Sequence, residues 1–452
     1  MLLYVKTSPE LPSTILPTAG SLDSRLGLPI SIMFRLYTLI LYLLVPYVLV
    51  RLYYLGTKNP DYRKRWSERF GITPPSGVDR RLVWIHAVSV GEIQASKPLI
   101  EFLLSNFHQY QVLITTTTPT GAETASQLFG DSILHRYFPY DLPFVVSRFL
   151  KTFNPKLLII VETEIWPNLY QQCSDLDIPI TLINARLSIR SLNGYSMLKK
   201  LTRQALECTS LIAAQSEEDA DRFKLLGAST EKIEVMGNLK FDIKLPHSIF
   251  EEAEVVRRLF SNRPVWIAAS THEGEEKIIL SALGDILKSI PESILVIAPR
   301  HPHRFQQIVE LCEKNGYKTV LYSNSSQYSS DAQIFILDTL GRLPIYYGAS
   351  DIAFVGGSLV PNGGHNMLEP ACLGVPVITG LHLFNFREIS ALLTEADALI
   401  KVANYSELAE TVVRLLNDAN LRFNMGERAK QVINKNQGAI DKISAAVTDY
   451  LQ

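Results

Sequence analysis

The feature that most constrains the fold is a rhythm of short apolar runs and amphipathic stretches, which occurs twice along the chain. Short apolar runs bounded by turn residues are typical of buried strands, and the amphipathic stretches between them are typical of helices. Strands and helices that alternate in this way predict parallel sheets covered by helices on both faces. We therefore expect an α/β fold of two Rossmann-like domains that face each other over a cleft.

The two series of predicted strands are separated by a charged, helix-like segment. The strands of the first series are 82–86, 111–115, 157–161, 179–184, 211–214 and 233–236. Those of the second series are 265–269, 294–298, 318–322, 334–337, 352–355 and 375–378. We expect a first domain at 56–241, a linker at 242–262 and a second domain at 263–452. Helices are predicted at 405–417, 421–434 and 438–451, and the last of them could pack on the first domain.

An apolar run at 36–50 contains Pro46 and is followed by several basic residues. A helix that spans a membrane needs about 20 apolar residues, so both a single span and a shallow interfacial anchor are compatible with this run. The basic residues would keep the rest of the chain on the cytoplasmic side. A cleaved signal peptide is the alternative, but no small-residue cleavage site follows. We expect an anchor at 33–55, preceded at 1–32 by a disordered extension or a wrongly assigned start.

Charge and cysteine content exclude several classes of protein. The chain has 44 Lys and Arg against 45 Asp and Glu, so its overall charge gives no indication of nucleic-acid binding. Its four cysteines have no paired spacing, which argues against a disulfide framework and a zinc site and fits a reducing compartment. His301 and His303 flank Pro302, but no carboxylate cluster accompanies them. We therefore predict no metal and no cofactor.

The most specific local pattern is a glycine-rich stretch at 361–379. Gly363 and Gly364 clear side chains from the start of a predicted helix at 366–373, whose backbone N–H groups and dipole suit a phosphate. Glu369 lies one turn into that helix, where its carboxylate can accept hydrogen bonds from ribose hydroxyls. The alternative is an ordinary strand–helix connection. The Glu after Gly-Gly-His-Asn favours a sugar nucleotide, and the stretch resembles the nucleotide-binding half of a GT-B glycosyltransferase.

Acidic residues follow two strands of the first predicted sheet. Glu92 comes after the first strand, and Glu162 and Glu164 come after the third in the series, so we expect them at the carboxyl edge of the sheet, where ligands bind. A carboxylate at this edge can remove the proton of an acceptor hydroxyl. For Glu92 the alternative is a helix N-terminal residue that complements the helix dipole. One of Glu162 and Glu164 is expected to be structural.

Basic residues end further strands of both domains. Arg186 suits a carboxylate or phosphate, and Lys240 closes the first domain and is expected to point into the cleft. In the second domain, Arg300 is well placed for a nucleotide phosphate or base, and the backbone at 338–343 could contact a base edge. The alternative for each basic residue is a solvated surface charge.

Together these motifs resemble the 3-deoxy-D-manno-octulosonic acid (Kdo) transferases of lipopolysaccharide assembly. The resemblance runs from about residue 33 to the C-terminus. The matching segments are 59–63, 66–70, 86–92, 162–168, 184–188, 237–242, 298–302, 338–343 and 363–369. Within them, Met367 stands where proline is common in the family, and Arg342 stands where an acidic residue is often found.

The resemblance implies an inverting GT-B glycosyltransferase that moves Kdo from CMP-Kdo to lipid IVA, a lipid A precursor, at the cytoplasmic face of the inner membrane. It implies that Glu92 is the general base and that Glu162 and Lys240 support the transition state. The positions that it implies for CMP are Pro299, Arg300, Leu340, Gly341, Arg342, Asn366, Met367, Leu368 and Glu369.

The carboxylate of Kdo would fit Arg186 or Lys240, and the departing CMP phosphate would be stabilised by Arg300 and the helix dipole without a metal. The runner-up function is a soluble sugar-nucleotide epimerase of the same two-domain fold, which would not need the apolar run. A non-enzymatic, membrane-tethered nucleotide-binding module comes third, and it leaves the acidic residues at the sheet edge unexplained.

Overall fold

The computed structural model describes residues 29–73, 81–243, 245–327 and 331–452, and the chain divides into two compact units. The first unit contains the described residues up to Leu239 together with Gly438–Gln452, and the second unit is Lys240–Gln437. Each unit is built around a parallel sheet of 7 strands. The predicted α/β class with two parallel sheets is therefore confirmed, whereas residues 1–28 of the predicted extension lie outside the described residues.

The first unit contains an all-parallel sheet with helices on both faces. Its strands are β1 (Arg81–His86), β2 (Tyr110–Thr116), β3 (Ile133–Tyr137), β4 (Pro155–Val161), β5 (Ile180–Ala185), β6 (Leu211–Ala214) and β7 (Ile233–Val235). Its helices before the second unit are α1 (Ile30–Lys58), α2 (Trp66–Arg69), α3 (Val90–Asn106), α4 (Pro119–Phe129), α5 (Pro143–Phe153), α6 (Pro167–Asp175), α7 (Ile189–Ser196), α8 (Lys199–Glu207) and α9 (Glu217–Leu226). The strand order is β3-β2-β1-β4-β5-β6-β7, so the order reverses between β1 and β4. In such sheets, ligands bind outside the carboxyl ends of the two strands at this switch point.

Alternate residues of β1 show why this sheet is covered on both faces. Val83 and Ile85 pack into a cluster with Leu99 of α3, whereas Leu82 and Trp84 pack into a second cluster with α5 and α6 on the other face. All four side chains are almost fully buried. A strand buried on both faces is apolar at every position, which is why β1 reads as a continuous apolar run.

The second unit repeats this plan. Its strands are β8 (Val265–Thr271), β9 (Ile294–Pro299), β10 (Thr319–Leu321), β11 (Ile334–Ile336), β12 (Ile352–Val355), β13 (Val377–Thr379) and β14 (Leu399–Lys401). Its helices are α10 (Ser248–Leu259), α11 (Glu275–Ser289), α12 (Phe305–Lys314), α13 (Leu343–Gly348), α14 (Leu368–Cys372), α15 (Arg387–Glu395), α16 (Tyr405–Asn417) and α17 (Ala419–Asn436). The strand order is β10-β11-β9-β8-β12-β13-β14. The switch point of this sheet therefore lies at the carboxyl ends of β8 and β12.

Two helical segments determine where each unit begins and ends along the chain. The segment expected as a linker at 242–262 instead contains α10, and Ala253 and Phe260 bury their side chains in the core of the second unit. The last helix, α18 (Ala439–Leu451), returns to the first unit and packs Ile443 and Val447 into the cluster that contains Val83 of β1. The last helix thus has the position that was expected for it, whereas apolar spacing does not show which core α10 joins.

The N-terminal helix α1 is longer than the predicted anchor at 33–55. It continues through Pro46 and has 29 residues, which corresponds to a length of about 44 Å. Within Ile30–Thr57, the most apolar window of 18 residues has a mean hydropathy of 1.9, and only 6% of this window is buried. By length and composition α1 is therefore able to cross a membrane, although composition alone does not separate a span from an interfacial helix.

Candidate active site

The switch point of the first sheet brings Glu92 and Glu162 together. Glu92 lies in the first turn of α3, after β1, and Glu162 directly follows β4, which pairs with β1. Burial, and then the negative charge of Glu162, raise the pKa of Glu92 to about 8. Glu164 contributes a smaller repulsion of the same sign. A carboxyl group with this pKa can gain and lose a proton close to neutral pH, which suits a general base.

Glu92 also satisfies backbone and side-chain donors at the start of α3. Its Oε2 accepts a hydrogen bond from the Val88 N–H at 2.6 Å, and its Oε1 accepts one from Ser89 Oγ at 3.1 Å. A carboxylate at this position complements the positive end of the helix dipole. Glu92 therefore stabilises the N-terminus of α3, and it also has a raised pKa.

The loop after β4 is held against the loop after β5. Glu162 has a φ of 63°, in the left-handed region that is costly for a residue other than glycine. The Thr163 hydroxyl donates to the Arg186 carbonyl at 2.5 Å and accepts from the Arg186 N–H at 3.2 Å. The backbone of Arg186 therefore lies beside the acidic loop, and its half-buried side chain is part of the same sheet edge.

Asp141 is a buried carboxyl group at this edge that the sequence did not reveal. Its oxygens accept hydrogen bonds from the N–H groups of Asn168 at 3.1 Å and Leu169 at 2.7 Å, at the start of α6, and from the Tyr37 hydroxyl of α1 at 2.8 Å. Burial raises the pKa of Asp141 to about 7. Burial likewise raises the pKa of Glu164, in the loop that leads into α6, to about 7. The carboxyl group of Asp141 therefore connects α1 to the start of α6.

A buried amide network fixes the chain just before Lys240. Asn184 Oδ1 accepts from the Leu239 N–H at 3.0 Å, and the Asn184 carbonyl accepts from Gln215 Nε2 at 2.9 Å. Lys240 itself belongs to the second unit, where its ammonium group lies 5.8 Å from the ring centre of Phe386.

In the second sheet, a buried carboxylate organises the switch point. Glu275 is the first residue of α11 and is fully buried. Its two oxygens accept hydrogen bonds from four N–H groups, at 2.7–3.0 Å: those of His272, Gly357, Ser358 and Leu359. Because Glu275 occupies these donors, a phosphate bound at this edge must use other groups.

Two histidines meet over Gly357 beside this carboxylate. His272 Nε2 lies 2.7 Å from His365 Nε2, and the two rings are parallel to within 2° with centres 4.9 Å apart. Gly357 has a φ of 67°, and a Cβ atom there would lie 2.9 Å from His365 Cδ2. Glycine is therefore needed at this position both for its backbone conformation and for the space that the rings occupy.

The predicted donor motif has a shorter helix than expected. Helix α14 starts at Leu368, whose N–H donates to Asn366 Oδ1 at 3.1 Å, and Asn366 Nδ2 donates to Glu369 Oε1 at 3.1 Å. Burial raises the pKa of Glu369. The side chains of Met367 and Leu368 are fully buried, so only their backbone could contact a nucleotide.

The other residues predicted to bind CMP differ in their exposure and in the contacts that they already make. Pro299 is buried at the end of β9, and the exposed Arg300 follows it. The charge of Arg300 partly opposes the rise in the pKa of Glu369 and contributes to the lowered pKa of His365. Leu340 and Gly341 are exposed. Arg342 forms an ion pair with Glu252, and its Nε donates to the Tyr322 hydroxyl at 3.3 Å. Among the residues that the structure describes, no group of three or more His, Cys, Asp or Glu side chains could hold a metal ion.

Both halves of the chain match known families. Residues 64–243 match the family described as 3-deoxy-D-manno-octulosonic-acid transferase (kdotransferase), and residues 267–432 match glycosyl transferases group 1. The 3-deoxy-D-manno-octulosonic acid transferase of Haemophilus influenzae is 39% identical over 92% of this chain and 98% of its own length. The chain belongs to the Kdo transferase family. The resemblance stated from the motifs is therefore confirmed.

A second relative and two solved structures have lower sequence identity to this chain. A probable mitochondrial 3-deoxy-D-manno-octulosonic acid transferase of Arabidopsis thaliana is 35% identical over 86% of this chain and 89% of its own. Among solved structures, the UDP-GlcNAc 2-epimerase from Neisseria meningitidis bound to UDP-GlcNAc covers 82% of this chain and 99% of its own, with a TM-score of 0.52 and 17% identity. A glycosyltransferase from Rickettsia africae has the same TM-score and 15% identity, over 83% of this chain and 100% of its own. These two likenesses show the GT-B-like fold alone.

Proposed function

We propose that this chain transfers Kdo from CMP-Kdo to lipid IVA, with inversion at the anomeric carbon. Membership of the Kdo transferase family supports the transferred sugar. The proposal adds the nucleotide, the lipid acceptor, the stereochemistry and the residues that act.

The observation that carries the proposal is the placement of Glu92 beside Glu162 at the switch point of the first sheet. In the proposed step, the Glu92 carboxylate takes the proton of the acceptor hydroxyl while the hydroxyl oxygen bonds to the anomeric carbon of Kdo. The bond from that carbon to the phosphate oxygen breaks, and CMP leaves with the bonding electrons. Repulsion by Glu162 makes Glu92 a stronger base than an isolated carboxylate, because it disfavours a second negative charge nearby.

The second unit supplies the donor site in this proposal. Arg300 would contact the phosphate, since a guanidinium group matches phosphate geometry and stabilises the charge that develops on the leaving group. Glu369, held by Asn366, would accept hydrogen bonds from ribose hydroxyls. The cytosine would be contacted at 340–342, where the backbone contributes more than Arg342, because Glu252 already binds that guanidinium group.

Lys240, Arg186 and Glu162 have supporting roles in the proposal. Lys240 and Glu162 would stabilise the charge distribution of the transition state, as the family resemblance implies. The Kdo carboxylate would bind a basic side chain, and Arg186 is the candidate whose backbone the Thr163 hydroxyl already positions beside the acidic loop.

Helix α1 would hold the first unit at the cytoplasmic face of the inner membrane, as a single span or as an interfacial anchor. Leu43, Tyr47 and Val50 are more than half exposed, which leaves an apolar surface for lipid. Of the basic residues after the apolar run, Arg69 is buried and donates to the Thr117 carbonyl at 2.9 Å. Arg51 remains exposed and is available to anionic headgroups.

The test is CMP release by the purified full-length chain. The proposal predicts release only when CMP-Kdo and lipid IVA are both supplied. Release from CMP-Kdo alone would indicate hydrolysis, and no release with both substrates would refute the proposal. The epimerase alternative rests on a fold likeness only, and it would be favoured by lipid-independent interconversion of a sugar nucleotide such as UDP-GlcNAc.

A further inference from the structure

The imidazole pair, His272 and His365, has no role in the proposed transfer and yet lies at the switch point of the second sheet. The two Nε2 atoms are much closer than the two ring centres, so the parallel rings meet through these nitrogens. A separation of 2.7 Å between two nitrogens requires one proton between them. One ring therefore donates its Nε2–H, and the other accepts through an unprotonated Nε2.

The surroundings of the pair are mainly cationic. Burial, and then the neighbouring His272, Arg300 and His301, lower the pKa of His365 to about 4. Burial, and then the charges of Arg304 and Arg300, lower the pKa of His272, and Glu276 is an opposing charge. Glu276 is itself bound by Arg304 through hydrogen bonds of 2.6 and 3.0 Å.

The remaining neighbours do not supply a compensating negative charge. The ring of His301 meets the ring of His272 edge-on, with centres 5.4 Å apart. The Glu275 carboxylate, which accepts the His272 N–H, is already surrounded by four backbone donors. The pair is therefore neutral at pH 7, and a bound anion is the group that would change this.

We propose that the imidazole pair takes up one proton when a phosphate ester binds beside Arg300, so that the pair becomes a cationic part of the donor site. The inference rests on the proposed donor site of the second unit. The negative charge of the ester offsets the charge of Arg300, which on its own opposes protonation of the pair.

The proton comes from solvent, and no bond of the ester breaks. In the neutral pair, the accepting ring carries its own proton at Nδ1, and the donating ring has a vacant Nδ1. The added proton binds to this vacant Nδ1 and converts the donating ring to an imidazolium. Its Nε2–H bond to the neutral partner then becomes charge-assisted, which stabilises the protonated pair further.

The test is calorimetry of the full-length chain with the 5′-phosphate methyl ester of cytidine. This probe is a phosphodiester like the donor, so it has no second phosphate ionisation near pH 6 that could mask a proton taken up by the protein. Titration at about pH 6 in two buffers of different ionisation enthalpy gives the number of protons bound per ligand. Cytidine, which lacks the phosphate, serves as the uncharged comparison.

We expect proton uptake with the methyl ester and none with cytidine. Affinity for the ester should rise as the pH falls from about 7, by up to tenfold per pH unit. The double variant, His272→Gln with His365→Gln, should bind the ester without proton uptake and with an affinity independent of pH, because glutamine cannot be protonated and neither imidazole of the pair remains. His247→Gln is the matched control, since His247 is 88% exposed on the same unit and pairs with Glu251.

The possible failures separate the two proposals. Binding of the ester by the native chain without proton uptake overturns the inference and leaves the donor site standing. Uptake that persists in the double variant also overturns it, because another group then takes the proton. If the native chain binds neither the ester nor CMP, the donor site itself is refuted, and the inference with it. Should the double variant fail to fold, the native chain still tests the inference, because the absence of proton uptake with the ester would overturn it.

Discussion

Replacing Glu92 with Gln should slow transfer and at the same time stabilise the fold at high pH. Gln keeps the shape of the side chain and can accept one of the two hydrogen bonds from Val88 and Ser89. It cannot take a proton from an acceptor hydroxyl. A positioned general base contributes about 10²–10⁴-fold to a rate, so transfer should fall by that factor. CMP affinity should stay unchanged, because the proposed donor contacts lie in the second unit.

The stabilisation follows from the pKa of Glu92, which rises from 4.5 to about 8 on folding. The folded protein holds a proton that the unfolded chain loses above about pH 4.5, so the native chain loses stability as the pH rises through this window. The full shift corresponds to about 5 kcal/mol. Solvent screening of the half-buried carboxyl and the lost hydrogen bond reduce the gain that we expect to measure to about 1–3 kcal/mol.

The assay combines melting temperatures at about pH 5 and pH 9 with transfer rates over the same range. Native and Glu92→Gln proteins should melt alike at the lower pH, and the variant should melt higher at the upper pH. The transfer rate of the native chain should rise with pH until Glu92 is ionised, near pH 8. Glu162→Gln, which removes the nearest like charge, should move this rise to lower pH.

A purely structural Glu92 gives the opposite pattern. Loss of a carboxylate from a helix N-terminus costs about 0.3–1 kcal/mol. A folded Glu92→Gln protein with near-normal transfer and a lower melting temperature at every pH would refute the general-base reasoning. The search for the base would then move to Glu162 or Glu164.

Three further predictions concern the anchor and the donor site. Deletion of residues 1–32 should leave activity and membrane binding intact, whereas deletion of residues 33–55 should release much of the protein into the soluble fraction. If the second variant still pellets completely with membranes, the anchor assignment is wrong. Glu369→Ala should weaken CMP-Kdo binding by about 1–3 kcal/mol in calorimetry, because the ribose loses its acceptor, and an unchanged affinity would rule out this contact. Gly357→Ala should lower the melting temperature more than Gly316→Ala. Both glycines have a positive φ, 67° at Gly357 and 82° at Gly316, but only at Gly357 would the added Cβ atom contact another residue, His365 at 2.9 Å. Equal decreases in melting temperature would mean that the contact with the His365 ring is unimportant.

Most strands were predictable from the sequence because they are buried on both faces. Strand β12 has the predicted bounds of 352–355, and its four residues are buried. Strands β3 and β14 were missed, and both are edge strands. In β3, His135 and Arg136 break the apolar run, and His135 is held by Arg65 and Thr116 rather than by apolar packing. Strand β14 has three residues, too few for a periodic signal.

The acidic edge of the first unit was predictable for a similar reason. Glu92 and Glu162 each follow an apolar run, and parallel strands carry their carboxyl ends to one edge. Asp141 has no such position. It lies between β3 and α5, and its importance depends on Asn168 and Tyr37, which are distant in sequence.

The imidazole pair could not be predicted, because its members are 93 residues apart and each follows a different strand. The role of Glu275 was hidden in the same way. A glutamate in the first turn of a helix is common, and nothing local shows that it takes the N–H groups of the loop at 357–359. The two consecutive glycines at 356–357 were the available signal, since they mark a close approach of backbone and side chains.

Mass spectrometry of the lipid product tests the central claim most directly. The full-length chain is incubated with CMP-Kdo and lipid IVA, and a parallel reaction contains the Glu92→Gln variant. The lipid is extracted from both reactions and its mass is measured. With the native chain, we expect lipid IVA that has gained one or more whole Kdo units, and with the variant little or no gain. Unmodified lipid IVA in the presence of the folded native chain would contradict it.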